Sequence, residues 1–270
     1  MKTRLIVAAI GLPLLLIILC FLPYPATTIL FAVMNVLGTW EIYHILHIEG
    51  RVGAMALTML TGAGMQFLIC ITGYWRCYIL CLPFLLLLFL CWIAYYEQEL
   101  PFGLEGLAAS LFSGLLVPLG LGAMTVLRSM WGGRELVLAP LVVTFVGDSG
   151  AYFAGCALGK RKMSPRTSPH KTVAGLIGGL IAASAGMVLY GLVLRLFGFH
   201  LSLWKLSVVG LVGGAAAQLG DLSFSIIKRH AGAKDYGNLL PGHGGAYDRF
   251  DSTTFAAPVV LALFTLLEVV

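Results

Sequence analysis

Charge is scarce in this chain. Asp, Glu, Lys and Arg make up only 11% of its 270 residues, where a water-soluble domain carries about 25%. So few charges cannot cover a globule, which excludes an ordinary soluble enzyme. Three runs, Leu5–Leu22, Cys77–Tyr95 and Thr172–Leu194, hold no charge at all. Each approaches the ~20 residues that cross a hydrocarbon core of about 30 Å. CxxC pairs and Cys/His clusters with zinc spacing are also missing. Cys20, Cys70, Cys77, Cys81, Cys91 and Cys156 therefore read as small apolar fillers. There is no internal repeat, no low-complexity linker and no acidic or basic tail. The net charge of +5 comes from basic residues in loops between apolar segments, so it is no nucleic-acid signature. The strict alternation that a membrane barrel needs is absent.

What is present is hydrocarbon: 59% of residues are hydrophobic and the mean hydropathy is +0.95. Long apolar runs in lipid must be helices, because every backbone polar group has to be satisfied internally. The sequence predicts an all-α, polytopic integral membrane helical bundle with about nine transmembrane helices, at roughly 4–22, 26–46, 53–72, 77–96, 106–127, 135–157, 172–194, 203–227 and 252–270. The first run is long for a cleaved signal peptide and is expected to be an uncleaved span. Residues 1–130 are expected to form an N-terminal scaffold serving lipid access or oligomerisation, and residues 131–270 a catalytic region with two polar loops.

An inside N-terminus puts Lys2, Arg4, Arg51, Lys160, Arg161, Lys162, Arg166, Lys171, Lys228, Arg229, Lys234 and Arg249 on the cytoplasmic side. Arg76, Arg128, Arg134, Arg195 and Lys205 then lie opposite. Twelve against five obeys the positive-inside rule. It also places the loops at 158–171 and 228–251 together on the cytoplasmic side of a cell membrane.

Chemistry concentrates late in the chain. Among the first five spans, Glu41, His44 and His47 share a helical face near a membrane boundary, and Glu97, Glu99 and Glu105 cluster in a loop. A solvated helix end is the expectation for the first group, ahead of a histidine metal site. Asp148, Tyr152, Gly155 and Gly159 follow one helical face of the sixth span. A carboxylate inside a span faces a partner or a polar cavity, and the plainer alternative is a structural Asp locking helices together. The Gly155–Arg161 segment has three residues between its glycines, not the four of a P-loop, and lacks the Ser or Thr. Beyond Lys160, the run Ser168-Pro169-His170-Lys171-Thr172 sets hydroxyls and a lysine before a helix N-terminus, a plausible phosphate seat.

In the eighth span Asp221, Ser225, Lys228 and Arg229 share a stripe, and Gly210, Gly213, Gly214 and Ala217 lie upstream on it. The small residues permit close helix approach, within the bundle or in a dimer. The loop after it holds five glycines and a proline, so its backbone bends tightly or approaches a ligand. Asp248 and Asp251 lie three apart. Hard carboxylate oxygens suit Mg²⁺, which takes one or two protein carboxylates and fills its shell with phosphate and water. Chemistry restricted to Asp, Lys, Arg, Ser and glycine backbone points to phosphoryl or nucleotidyl transfer.

Ser225, Lys228-Arg229, Lys234-Asp235, Gly237, Leu240-Pro241, His243-Gly244-Gly245 and Asp248-Arg249-Phe250-Asp251, with their spacing, resemble the signature of the phosphatidate cytidylyltransferases. The Ser168–Thr172 loop and the Asp148–Lys160 helix resemble that family too, so the similarity covers about residues 140–255. Two positions depart from the pattern: Ala246, where the family has a branched or aromatic residue, and Ala174, where it often has Glu.

The resemblance implies that CTP and phosphatidic acid give CDP-diacylglycerol and pyrophosphate at a membrane, with Mg²⁺, with or without a second cation, and no nucleic-acid partner. It implies catalytic roles for Lys171, Lys228, Arg229, Lys234, Asp235 and His243. Substrate contacts would come from Asp148, Tyr152, Lys160, Ser168, Thr172, Ser225, Gly244, Gly245 and Arg249. Asp221 and Asp248 would hold metal, with Asp251 as a third ligand, and family analogy implies a homodimer. Two rivals stand beside this: a CTP-dependent enzyme acting on a polyprenyl or ether lipid phosphate, and an ion or solute transporter. Polar residues extending into loops, and no inverted repeat, weigh against the transporter.

Overall fold

The computed structural model describes residues 2–100, 102–237 and 244–269. Two compact units emerge: Met1–Ser129 with His230–Phe250, and Met130–Arg229 with Asp251–Val270. The loop after the eighth span thus belongs with the N-terminal unit.

The first unit contains α1 (Lys2–Leu16), α2 (Tyr24–Ile45), α3 (Val52–Thr72), α4 (Tyr78–Glu97), α5 (Gly103–Leu111) and α6 (Val117–Ser129). A π-helical turn, Ile17–Phe21, extends α1, and another, Phe112–Leu116, joins α5 to α6. Polar side chains of α2 and α3, with Tyr74 just beyond, lock onto this last segment. Asn35 Nδ2 donates to the Ser113 carbonyl at 2.9 Å, Gln66 Nε2 to the Pro118 carbonyl at 2.8 Å and Tyr74 Oη to the Leu119 carbonyl at 2.8 Å. Such bonds hold helices together where lipid supplies no hydrophobic drive. Arg128, expected as a loop charge on the outer side, is instead buried. Its Nε donates to the Leu19 carbonyl at 2.6 Å and its Nη2 to the Leu22 carbonyl at 2.9 Å. A cation suits these helix-terminal carbonyls.

The second unit contains α7 (Gly133–Leu136), α8 (Ala139–Leu158), α9 (Val173–Leu196), α10 (Leu203–His230, to Arg229) and α11 (Tyr247–Leu266, from Asp251). Between α8 and α9 lies an antiparallel hairpin of β1 (Lys162–Ser164) and β2 (Ser168–Thr172), pairing Lys162 with Thr172 and Ser164 with Ser168. Pro165 and Pro169 disfavour helix there. Glycines let α8 and α9 nearly touch: a Cβ on Gly178 would lie 2.2 Å from Ala154 Cβ, and one on Gly150 2.2 Å from Ala182 Cβ. The α10 small-residue stripe is used within the chain. Gly210 and Gly214 face Ala183 of α9, and Gly213 faces Val143 of α8 and Val260 of α11.

Among the described residues, seven helices are long and apolar enough to cross a membrane, counting Gly103–Ser129 and Gly133–Leu158 each as one span. The two remaining expected spans are also helical: Ala9–Phe21 is a shorter apolar helix, and α11 begins with the polar turn at Tyr247. The chain is a polytopic membrane helical bundle.

Candidate active site

A cavity of about 450 Å³ opens in the second unit, walled by α8, α9 and α10 and by the hairpin. Its lining mixes apolar Ala151, Met163 and Leu176 and the ring of Tyr152 with polar Asp148, Lys162, Lys171 and Gln218. The helical face expected from the sequence carries Asp148, Tyr152, Gly155 and Gly159 onto this wall. Gly179 lets α9 approach α8, since a Cβ there would lie 3.0 Å from both Ala151 Cβ and the Gly147 carbonyl oxygen.

Lys171, at the end of β2, forms an ion pair with Asp221 of α10, and Asp148 lies within electrostatic reach of both. Lys162 adds a second ammonium to the lining of the same cavity. Ser225, one turn beyond Asp221, donates its hydroxyl to Asp221 Oδ1 at 3.4 Å. Lys228 lies buried on the same helix. Arg229 is turned to the hairpin, where its Nε donates to the Thr167 carbonyl at 3.2 Å.

The expected phosphate seat at the start of α9 has two amides already engaged. Thr172 caps the helix by accepting from Gly175 N–H at 3.0 Å, and Val173 N–H donates to the Arg161 carbonyl at 3.0 Å. The side chains of Lys162 and His170 lie with Lys171 on the cavity wall. Ser168 is half-buried opposite Ser164, and Lys160 is exposed just past α8.

The first unit holds the glycine-rich loop. Asp248 Oδ2 accepts from Tyr236 N–H at 2.8 Å and Gly245 N–H at 2.9 Å, tying together the described ends of the loop. Lys234, Asp235 and Arg249 are exposed, while Gly245 is buried and Gly244 half-buried. Asp251, in the second unit, accepts at Oδ1 from its neighbour Ser252 N–H at 2.7 Å. His243 lies outside the described residues.

Four residues escaped the sequence-level site. Gln218 stands one helical turn before Asp221, a spacing that could have marked it; Lys162 and His170 flank the singled-out lysines. Glu41 shares a helical face with His44 and His47, which reads as a solvated helix end. It is not a solvated helix end: it is 1% exposed and accepts from Ala246 N–H at 2.9 and 2.8 Å.

Among the described residues no three His, Cys, Asp or Glu side chains form a metal-sized group. The donors present still fit Mg²⁺, which needs only one or two protein carboxylates once phosphates and water share its shell.

Comparison with known proteins gives a consistent picture. The Cytidylyltransferase family matches residues 2–267. A phosphatidate cytidylyltransferase of Staphylococcus saprophyticus is 41% identical over 142 residues, 52% of this chain and 53% of the relative. One of Bacillus subtilis is 44% identical over 136 residues, 49% of each chain. One of Staphylococcus aureus is 39% identical over 141 residues, 52% of this chain and 53% of the relative. The matched stretch spans about half the length of each relative.

Proposed function

Because the chain belongs to the Cytidylyltransferase family, we propose that it transfers CMP from CTP to phosphatidic acid, giving CDP-diacylglycerol and pyrophosphate. The observation that carries this reading is the cavity lined by Asp148 and by Lys171, which pairs with Asp221, together with the apolar Ala151, Met163 and Leu176. A lipid phosphate needs such a mixed surface: charge for its head group and hydrocarbon for its chains. The names of the relatives add support.

A phosphatidate oxygen attacks the α-phosphorus of CTP, a new P–O bond forms, and the bond to the β-phosphate oxygen breaks as pyrophosphate leaves. The nucleophile is already anionic, so no strong general base is required. Catalysis is then positioning and charge neutralisation. Lys171, Lys228 and Lys234 neutralise phosphate oxygens. Arg229 also fixes the hairpin that carries Lys171. Ser225 orients Asp221, and Asp148 lines the cavity. The sequence resemblance assigns Asp235 and His243 to catalysis, and Gly244, Gly245 and Arg249 to substrate contact. In the second unit Asp221 would hold Mg²⁺, with Asp251 as a further carboxylate; the sequence resemblance gives Asp248 of the first unit a metal-holding role too. That ion would supply charge neutralisation on the triphosphate. The cytoplasmic placement follows the charge asymmetry of the loops.

The test is a CTP-dependent assay on the purified protein, with phosphatidic acid, a polyprenyl phosphate and an ether-lipid phosphate as acceptors, with and without Mg²⁺. Phosphatidic acid should be preferred, and turnover should need the ion. Asp221→Asn should lower kcat by about 10² or more at unchanged membrane abundance. An active Asp221→Asn protein would discard the metal assignment, and no transfer from CTP to any lipid would discard the reaction.

A further inference from the structure

We infer that Glu41, in the N-terminal unit, is a positioning residue for the glycine-rich loop that carries Asp248. This deepens the proposed function, because it rests on that loop serving the transfer reaction.

Glu41 lies near the end of α2, buried and only 1% exposed. Its carboxylate accepts from the amides of Ala246, at 2.9 and 2.8 Å, and Tyr247, at 3.4 Å. These amides stand at the start of α11, where the helix dipole favours an anion. A buried carboxylate is costly unless hydrogen bonds compensate it. Among the described residues those bonds are made by loop backbone, so the negative charge of Glu41 depends on the loop being in place.

The loop is shaped to receive this carboxylate. A Cβ on Gly245 would lie 2.3 Å from Glu41 Oε2, and one on Gly237 2.7 Å from Glu41 Oε1. Both ends of the described loop therefore approach Glu41 through glycine. One turn earlier on α2, Gly38 seats the Tyr247 ring, where a Cβ would lie 2.0 Å from Tyr247 Cδ1. Asp248 clasps the same segment from the other side, through Tyr236 N–H and Gly245 N–H. Gly245 and Ala246 thus offer successive amides to two different carboxylates. Displacing the Glu41 contact frees the peptide whose neighbour orients Asp248.

The test compares the wild type with Glu41→Gln, Asp248→Asn and the double variant. Glutamine keeps the size but loses the charge and turns one of the two accepting oxygens into an amide donor. Glu41→Gln should lower kcat on the order of 10- to 100-fold, with KM for CTP changed less than about threefold and membrane abundance retained. The double variant should be no slower than Asp248→Asn alone, since neighbours acting as a unit are not additive. Amide hydrogen exchange should quicken at Tyr236, Gly245 and Ala246 in Glu41→Gln, and not in α3. Activity within twofold of wild type, or effects of the two variants that multiply, overturns the inference; so does unchanged exchange at those amides. A wild type that transfers nothing from CTP overturns the functional reading alone, and the exchange measurement still decides the role of Glu41.

Discussion

Thr172 shows how much one hydroxyl can be asked to do. It ends β2, caps α9 through Gly175 N–H at 3.0 Å, and is packed beside Gly159, where a Cβ would lie 2.8 Å from the Thr172 Oγ1 atom. Thr172→Val keeps the shape and removes the acceptor, leaving a buried N–H unsatisfied at a loss of about 1 kcal/mol. We expect a thermal midpoint lower by roughly 2–4 °C in detergent, with Thr172→Ser close to wild type; a valine variant as stable as the parent refutes the cap. At this scale the sequence was partly legible. Asp148 and Asp221 stand out because charge inside a span is costly, and Lys171 because it sits in a polar loop just before a helix N-terminus. Glu41 lies near the end of an expected span and reads as a solvated helix end, because the amides that explain it lie 205 positions away. Thr172, expected among the substrate contacts, has a hydroxyl that caps α9.

At the scale of elements, the α8–α9 pair depends on bare backbone. The spans were legible from hydrocarbon length, and the α10 stripe from its glycines, since both are local patterns. The hairpin was not, because a short run of Lys, Ser and Pro has no period to reveal it. Nor does a glycine pattern say which helix it will meet. Gly178 meets Ala154 of α8 so closely that an added Cβ would lie 2.2 Å away, which forces the helices apart. Gly178→Ala should cost about 1–3 kcal/mol by overpacking and slow turnover, because α8 and α9 both line the cavity. Gly11→Ala, with nothing within 4 Å, should leave the midpoint unchanged or raise it slightly. Heat denaturation of both variants checks the contrast, and equal midpoints would remove close packing as the reason for the glycine.

Over the whole molecule, sequence patterns reach the number and kind of spans but not the division of the chain. A boundary near residue 130 is visible as a change from apolar to polar-bearing spans. The return of His230–Phe250 to the N-terminal unit is not, since it rests on contacts such as Glu41 with Ala246. Orientation rests on an independent quantity, the loop charge. Arg128 is spent on the carbonyls of Leu19 and Leu22, so the opposite side has one fewer loop charge and the bias strengthens. Single cysteines in a background cleared of the native ones test it. His200→Cys, exposed in the segment between α9 and α10, should react with an impermeant maleimide on intact cells. Arg166→Cys, exposed in the hairpin turn, should react only after permeabilisation. The reverse pattern would put Lys171 and its cavity on the side away from cellular CTP, and the proposed reaction could not then draw on that pool.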